Sequence, residues 1–517
     1  MLFFTANLFL SQATLCISSG SIPGLHRDLG SDQSLKIVDE WIEKCDRQHK
    51  CYQGHQTALP TRVIDVSQED PRLVISNEER SPYITLSHCW GGEQPITTTI
   101  STLDERIAKI PMDSLPALYR DAVKLTRHLG IKYLWIDSLC IVQDCQDDWR
   151  KESAKMGEIY RLSYLTLYAL SSPNCHQGIL VERESLTETR PDPSGRSAYN
   201  QRAREEVFKD APLCQRAWAL QERLLSPRLL HYSREEMFWE CLACTARESS
   251  HRISLYRPGT YKYERYECPQ VKIPLVLPLE ENPSFPVSLP SDWHTIVAEY
   301  TRCQLTQSSD KLPAISGLAS VFQRNTGYTY LAGLWEEELA NGLLWFCITE
   351  QDRGRTTKPR TGPYRGPSWS WVSTDLAVRN RPWRSQNSRG TDIELIKSNV
   401  QLAGPDPKGE ILFASITIKA HFYKISYESE VGSRKCSIYD TEGSRFGRGI
   451  LDASDEEPGV RRQCAAICVR QQNSVPIFLI VIPAQDTVGE NCWRRIGIAW
   501  ANQFVQPAPE KSVVQLV

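Results

Sequence analysis

One glutamate and a few polar residues at the ends of apolar runs could carry chemistry. Glu222 closes the run Arg216-Ala-Trp-Ala-Leu-Gln-Glu222, Ser87 ends Tyr83-Ile-Thr-Leu-Ser87, and Asp137 follows Tyr133-Leu-Trp-Ile136. A carboxylate held beside a hydroxyl and a second acid can act as a general acid or base. His88-Cys-Trp-Gly-Gly92 adds an imidazole and the Trp90 ring, and its paired glycines permit a tight turn. Trp218 is a second ring able to stack on a planar group. Each candidate also has a plainer use. Glu222 next to Arg223 fits a solvated or salt-bridged helix face, and Asp137 fits a turn cap. Glu152 between Lys151 and Lys155 fits a helix-surface charge, and Trp90, Trp135, Trp149 and Trp218 fit packing elements.

Sulfur offers two further groupings. Cys45-Asp-Arg-Gln-His-Lys-Cys51 and Cys241-Leu-Ala-Cys244 space thiols and an imidazole as metal ligands are spaced. A structural zinc needs four such ligands, neither cluster holds four by itself, and no metal is assigned. Cys140 and His88, both at strand ends, make a conceivable thiol–imidazole pair, but no cysteine-protease signature surrounds Cys140, which reads as a buried, inert thiol. The chain has neither a Walker-type phosphate loop nor a dinucleotide-binding glycine fingerprint.

The elements that must position these residues alternate. Tyr83–Ser87 reads as a strand, and Leu118, Ala122, Leu125 and Leu129 share one helical face that Gly130 ends. Tyr133–Ile136 is a second strand. Trp149, Ser153, Met156 and Tyr160 form a second helical stripe with Asp147 or Asp148 at its start, and Tyr164–Leu170 is a third strand. Strand, helix, strand, helix, strand with apolar strands predicts a parallel sheet covered on both faces. Right-handed crossovers put Ser87–Gly92, Asp137–Gln143 and Ser171–Asn174 at one edge, where ligands of open sheets bind. Arg216–Leu225 is predicted helical, and 228–232 with 237–241 a strand pair. Asp292–Tyr300 and Ile315–Phe322 are predicted helical. Beyond residue 365 short strands are expected at Trp369–Trp371, Ile411–Ile425, Cys464–Val469, Val475–Ile482 and Arg495–Trp500, with 426–462 as a charged loop.

Composition excludes several classes. The 517 residues allow several domains, and 41% apolar with 24% charged residues excludes wholesale disorder. A net charge of −2 supplies no field to draw in nucleic acid or anionic lipid. Seventeen scattered cysteines read as reduced thiols in an intracellular compartment. The apolar start, Met1 to Cys16, resembles a signal peptide but has no Lys or Arg before Arg27, is interrupted by polar residues and is too short to span a bilayer; it is expected to pack on the protein.

Three blocks agree in order, spacing and Trp positions: Tyr83-Ile-Thr-Leu-Ser-His-Cys-Trp-Gly91; Leu134 to Gln143 with Asp147 to Met156 and Ile159-Tyr160; and Arg216 to Glu222. Together they resemble the fungal heterokaryon-incompatibility (HET) domain over about residues 45–245, with weaker similarity at Asp310–Gly317, Pro367–Trp371 and Arg494–Gly497. The chain departs from that pattern at His88, where an aromatic residue or Arg is usual, and at Val142, where Asn is usual. The resemblance implies non-self recognition and programmed cell death after fusion of unlike cells. It also implies distant similarity to Toll/interleukin-1 receptor (TIR) domains, some of which cleave NAD at the nicotinamide–ribose bond.

By that similarity Tyr83–Ser87 is the opening strand, Ile136-Asp137 ends the second, and the Trp218–Glu222 helix carries the essential glutamate. Glu222 becomes the catalytic carboxylate, and Ser87, His88, Trp90, Gly91, Asp137 and Trp218 contact substrate. The implied fold is α/β, a TIR-like or flavodoxin-like parallel sheet with helices on both faces, plus a helical and β-rich C-terminal region. Boundaries follow as an N-terminal extension 1–60, a HET domain 61–250 with an insertion near 183–211, a linker and helical region 251–364, and a β-rich region 365–517. No resident cofactor is expected, NAD entering as substrate. Self-association and a protein partner in incompatibility signalling are expected, with no nucleic acid, no membrane span and a cytoplasmic location. The alternative function is a non-catalytic interaction module that signals by assembly.

Overall fold

The computed structural model describes residues 26, 28–49, 51–52, 57–92, 96–183, 201–255, 289–348, 364–380, 392–431, 433–454, 457–472, 475–484, 491–501 and 509–517. The apolar start, most of the polar insertion and most of the Pro- and Tyr-rich stretch after 255 lie outside the described residues. Among the described residues no helix is long and apolar enough to cross a membrane.

The three predicted parallel strands are present: β3 (Tyr83–Ser87), β4 (Tyr133–Trp135) and β5 (Leu165–Tyr168). β3 lies between β4 and β5 and pairs in parallel with both. Every residue of the three is buried, which is why they read as unbroken apolar runs. The wholly parallel sheet is corrected to a mixed one. β6 (Arg228–Tyr232), expected only as half of a hairpin with β7 (Met237–Cys241), is also a fourth parallel strand beside β5. Antiparallel strands extend both sides: β1 (Arg62–Asp65) and β2 (Arg72–Ile75) beyond β4, and β8 (Cys244–Arg247) and β9 (Ser250–Leu255) beyond β7. The polar residues at 62, 65 and 72 had hidden the first hairpin from an alternation test.

Helices carry the crossovers. α1 (Asp32–Lys44) precedes the sheet, and α2 (Leu103–Ala108) and α3 (Ala117–His128) join β3 to β4. Gly130, at φ +67°, turns the chain after α3 as expected of an αL residue. The second predicted stripe is two helices rather than one. α4 (Asp137–Cys140) leads to α5 (Gln146–Ser153) and α6 (Met156–Arg161), with a break at Ala154-Lys155. Asp148 does not cap its own helix: its Oδ2 accepts the Val142 N–H at 2.9 Å and an Arg62 N–H. Glu152 is not a surface charge either. It is buried, and its Oε1 accepts Thr61 Oγ1–H at 2.8 Å and Lys155 Nζ–H at 3.0 Å. α7 (Gln201–Asp210) and α8 (Ala217–Leu225) join β5 to β6.

α8 packs against α6 and against a helix from the later part of the chain. Its residues Ala217, Leu224 and Leu225 belong to a core shared with α9 (Leu289–Tyr300), α10 (Pro313–Thr326) and the C-terminal strands. The C-terminal region is β-rich as expected, with two corrections. Trp369–Trp371 forms no strand; both rings are buried beside a 3₁₀ turn at Trp371–Ser373. The 426–462 stretch is not a loop, because Lys435–Tyr439 and Arg445–Leu451 form a hairpin in the large sheet. Short strands that alternate charged and apolar residues, joined by a polar turn, give too weak a pattern to separate from a charged loop.

Candidate active site

α8 runs across the sheet face, and the polar atoms between them form a continuous set. Thr85 and Ser87, two residues apart on β3, share one face. Thr85 Oγ1 meets Thr166 Oγ1 at 2.7 Å, and Thr166 Oγ1 meets Ser226 Oγ, just past α8, at 2.6 Å. One turn earlier on α8, the Glu222 carboxylate accepts the Ser87 Oγ–H in a short hydrogen bond. The solvated-face expectation for Glu222 is therefore wrong: the residue is 2% exposed. The neighbouring Arg223 is buried too, and pairs with Glu240 at 3.0 Å rather than with Glu222.

Burial dominates the electrostatics. Desolvation pushes the Glu222 carboxyl up to about 7; the Asp137 charge acts in the same direction, while Arg216, the Ser87 hydroxyl and Tyr160 oppose it. Burial alone would lower the Arg216 guanidinium, but Glu222 and Asp137 outweigh it, so the group stays firmly charged. An Arg216 N–H also donates to the His88 carbonyl, pinning the start of α8 to the end of β3. Tyr160, on α6, donates its hydroxyl to the Leu86 carbonyl at 3.2 Å, and burial with the nearby Glu222 charge holds its phenol protonated.

Asp137 gathers the next group. Its Oδ2 accepts the Trp90 indole N–H at 2.9 Å, and its Oδ1 accepts the Ser138 N–H at 2.8 Å, so it serves the turn as well. His88 Nδ1 stands 3.8 Å from Asp137 Oδ1, too far for a hydrogen bond, while Nε2 shares a 2.8 Å hydrogen bond with the Tyr119 hydroxyl. Tyr119 in turn meets Ser138 Oγ at 2.7 Å. Desolvation pushes His88 down to about 4, with Arg216 adding to it and Asp137 opposing, so the ring is neutral near pH 7.

Gly91, at φ +85°, comes so close to Asn174 that a Cβ there would sit 2.5 Å from the Asn174 Cβ. The first and third predicted edge segments therefore touch. Trp218 is turned to other partners: its indole N–H donates to Asp310 at 3.1 Å and its ring meets Trp149 edge-on. Cys140 is buried, its thiol pushed up to about 12 by desolvation, and His88 takes Tyr119 as its partner. Val142, the other departure from the family pattern, is buried. Arg216, Tyr119 and Tyr160 were not assigned roles from sequence, although Arg216 opens the third block and Tyr160 ends the second. Spacing cannot show that an arginine reaches back to a strand end.

Replacing Trp90 with Phe keeps the ring and removes the N–H that Asp137 accepts. The expected loss is about 1 kcal/mol of unfolding free energy, measured by urea denaturation, because the group is only partly buried.

The set can hold one proton near neutrality on Glu222 while Arg216 supplies a fixed positive charge. Among the described residues, a separate group of metal-type donors forms around Cys241. Residues 83–222 match the family model described as Heterokaryon incompatibility protein (HET), a stretch that begins with β3 and ends on Glu222. The match points to a heterokaryon-incompatibility-related role. Neither a curated protein nor a solved structure matches the chain.

Proposed function

We propose that this protein is an incompatibility-type cell-death effector that cleaves NAD or a related nucleotide at its glycosidic bond. The observation that carries the reading is the Ser87–Glu222 hydrogen bond, which joins the third block to the end of the first within one charged group containing Arg216 and Asp137. In the reaction the C1′–N bond breaks with its electron pair leaving on the neutral nicotinamide. Positive charge builds on the ribose, and water adds to C1′. Glu222 stabilises that charge and takes the proton from the water, Ser87 and Asp137 contact ribose hydroxyls, and Trp90 forms a wall. The similarity of the three blocks to TIR domains supports the same assignment. Because Glu222 is 2% exposed, the strand edge must open before a ribose reaches it.

That burial favours a second reading, a non-catalytic module in which the carboxylate holds α8 to the sheet and signalling proceeds by self-association or a protein partner. Purified full-length protein is incubated with NAD, and nicotinamide and ADP-ribose are separated chromatographically. Stoichiometric release of both, lost in Glu222→Gln, is expected. A blank result from protein shown to be assembled would reject the enzymatic reading in favour of the module.

A further inference from the structure

The two sulfur clusters that lie some 190 residues apart in sequence come together in the fold. After α1 the chain continues as a wider π-turn, Cys45–His49, which brings Cys45 and His49 to the same side, and Cys51 lies two residues further on. On the other side β7 and β8 form a hairpin with Glu240 opposite Thr245, which leaves Cys241 and Cys244 at its tight tip. Ligand atoms of Cys45, His49, Cys51 and Cys241 all lie within 4.8 Å of one another. Cys241 Sγ is 3.6 Å from His49 Nδ1 and 3.6 Å from Cys244 Sγ, and Cys244 Sγ is 3.7 Å from His49 Nδ1.

We propose that these residues bind a structural zinc ion, with Cys45, His49, Cys51 and Cys241 as its ligands and Cys244 adjoining. Tetrahedral zinc bonded to sulfur at ~2.3 Å and to nitrogen at ~2.0 Å spaces its ligand atoms roughly 3.6–3.8 Å apart, and within the proposed set Cys241 Sγ and His49 Nδ1 already stand at 3.6 Å. Three thiolates and one imidazole in a tetrahedral arrangement select zinc over the oxygen-seeking calcium or magnesium. The sulfurs are free thiols separated by more than a disulfide length. All three cysteine ligands are buried and only His49 is partly exposed, which makes the site closed, as structural sites are.

The surroundings fit a metal–thiolate centre. Such a centre with three thiolates carries net negative charge, and the fully buried Arg228 guanidinium lies close enough to Cys45 to interact electrostatically with it. Arg228 is itself fixed by Asp46, the residue after Cys45, and by the Tyr52 and Tyr164 rings at 5.6 and 5.1 Å. This is the outer layer that orients ligands in metal sites. The ion would tie the segment after α1 to the hairpin beyond β6, where Trp41 already meets Trp239. It takes no part in the reaction proposed above.

The test uses full-length protein purified without chelator. Elemental analysis is expected to give one zinc per chain. Cobalt(II) exchanged into the same protein is expected to show thiolate charge-transfer bands and the intense visible absorption of tetrahedral cobalt. Cys241→Ser, which removes the sulfur adjoining every other donor, is expected to lose the metal, whereas Cys244→Ser keeps it. Absence of zinc in the wild type, with no cobalt spectrum after equilibration, overturns the proposal without requiring any variant to fold. Full zinc retention in soluble Cys241→Ser overturns the placement. Nicotinamide release is measured separately, so loss of the nucleotide reading leaves this result untouched.

Discussion

Gly317→Ala is expected to destabilise the protein by about 3 kcal/mol in urea denaturation, against the direction that helix propensity alone predicts. Gly317 lies inside α10, where alanine normally gains about 1 kcal/mol over glycine. Here there is no room. A Cβ at Gly317 would sit 2.7 Å from the Gln221 Oε1 of α8 and 2.7 Å from the Gly157 Cα of α6, and one at Gly157 would sit 2.6 Å from the Gly317 Cα. The Gly157 contact sets backbone against backbone, so moving the Gln221 side chain cannot relieve it. The helices must separate, which strains packing by roughly 1–3 kcal/mol and weakens the 2.8 Å bond from the Gly317 N–H to buried Gln221. The same contact holds α8 at the height where Glu222 meets Ser87. Gly92→Ala, with nothing near its Cβ, is the control and should change stability by less than about 0.5 kcal/mol. A neutral or stabilising Gly317→Ala would mean that the three helices do not meet as described.

These two glycines mark where sequence reasoning stops. Apolar runs and helical stripes located β3, β4, β5, α3 and α8, because each element buries a periodic face and the period is written in residue type. The Ser87–Glu222 pairing was anticipated only through resemblance of three blocks. From composition alone Glu222 beside Arg223 looks solvated, and nothing local reveals that Arg223 turns to Glu240 while Glu222 turns inward. β1 and β2 were missed because short strands carrying Arg and Asp lack alternation, although Arg62 and Asp65 are buried. Arg62 is held by Asp148 and the Cys140 carbonyl, partners some 80 residues away. The thiol cluster failed as a signal for the same reason. Cys-x₂-Cys at 241–244 and the 45–51 segment each have ligand spacing, but the count reaches four only once β7 and α1 come together.

Glu222→Gln is expected to separate stability from pH in a way no surface carboxylate would. The amide still accepts or donates at Ser87, so the fold should persist, but a titrating group disappears. For a carboxyl raised from its ordinary 4.5 to about 7, the folded state holds a proton that the unfolded state has released between those values. Unfolding therefore becomes easier as pH rises from about 4.5 to 7, and the gap, at about 1.36 kcal/mol per pH unit, amounts to about 3 kcal/mol. His88 works the other way. Lowered from 6.5 to about 4, it takes up its proton more readily when unfolded, so its contribution is lost as pH falls through that window. The two slopes oppose each other in the wild type, and only the difference between variant and wild type isolates Glu222. Urea unfolding of both proteins from pH 4 to pH 8 should show Glu222→Gln gaining on the wild type by about 3 kcal/mol across the range. If Glu222 also serves as the base in nicotinamide release, the wild-type rate should rise as the group ionises near pH 7, and Glu222→Gln should be slower by roughly 10²–10⁴-fold with no such limb. A stability gain without any activity to lose marks Glu222 as the group that seats α8 on the sheet. Parallel pH curves for the two proteins would place its titration in solvent and contradict the burial on which both readings depend.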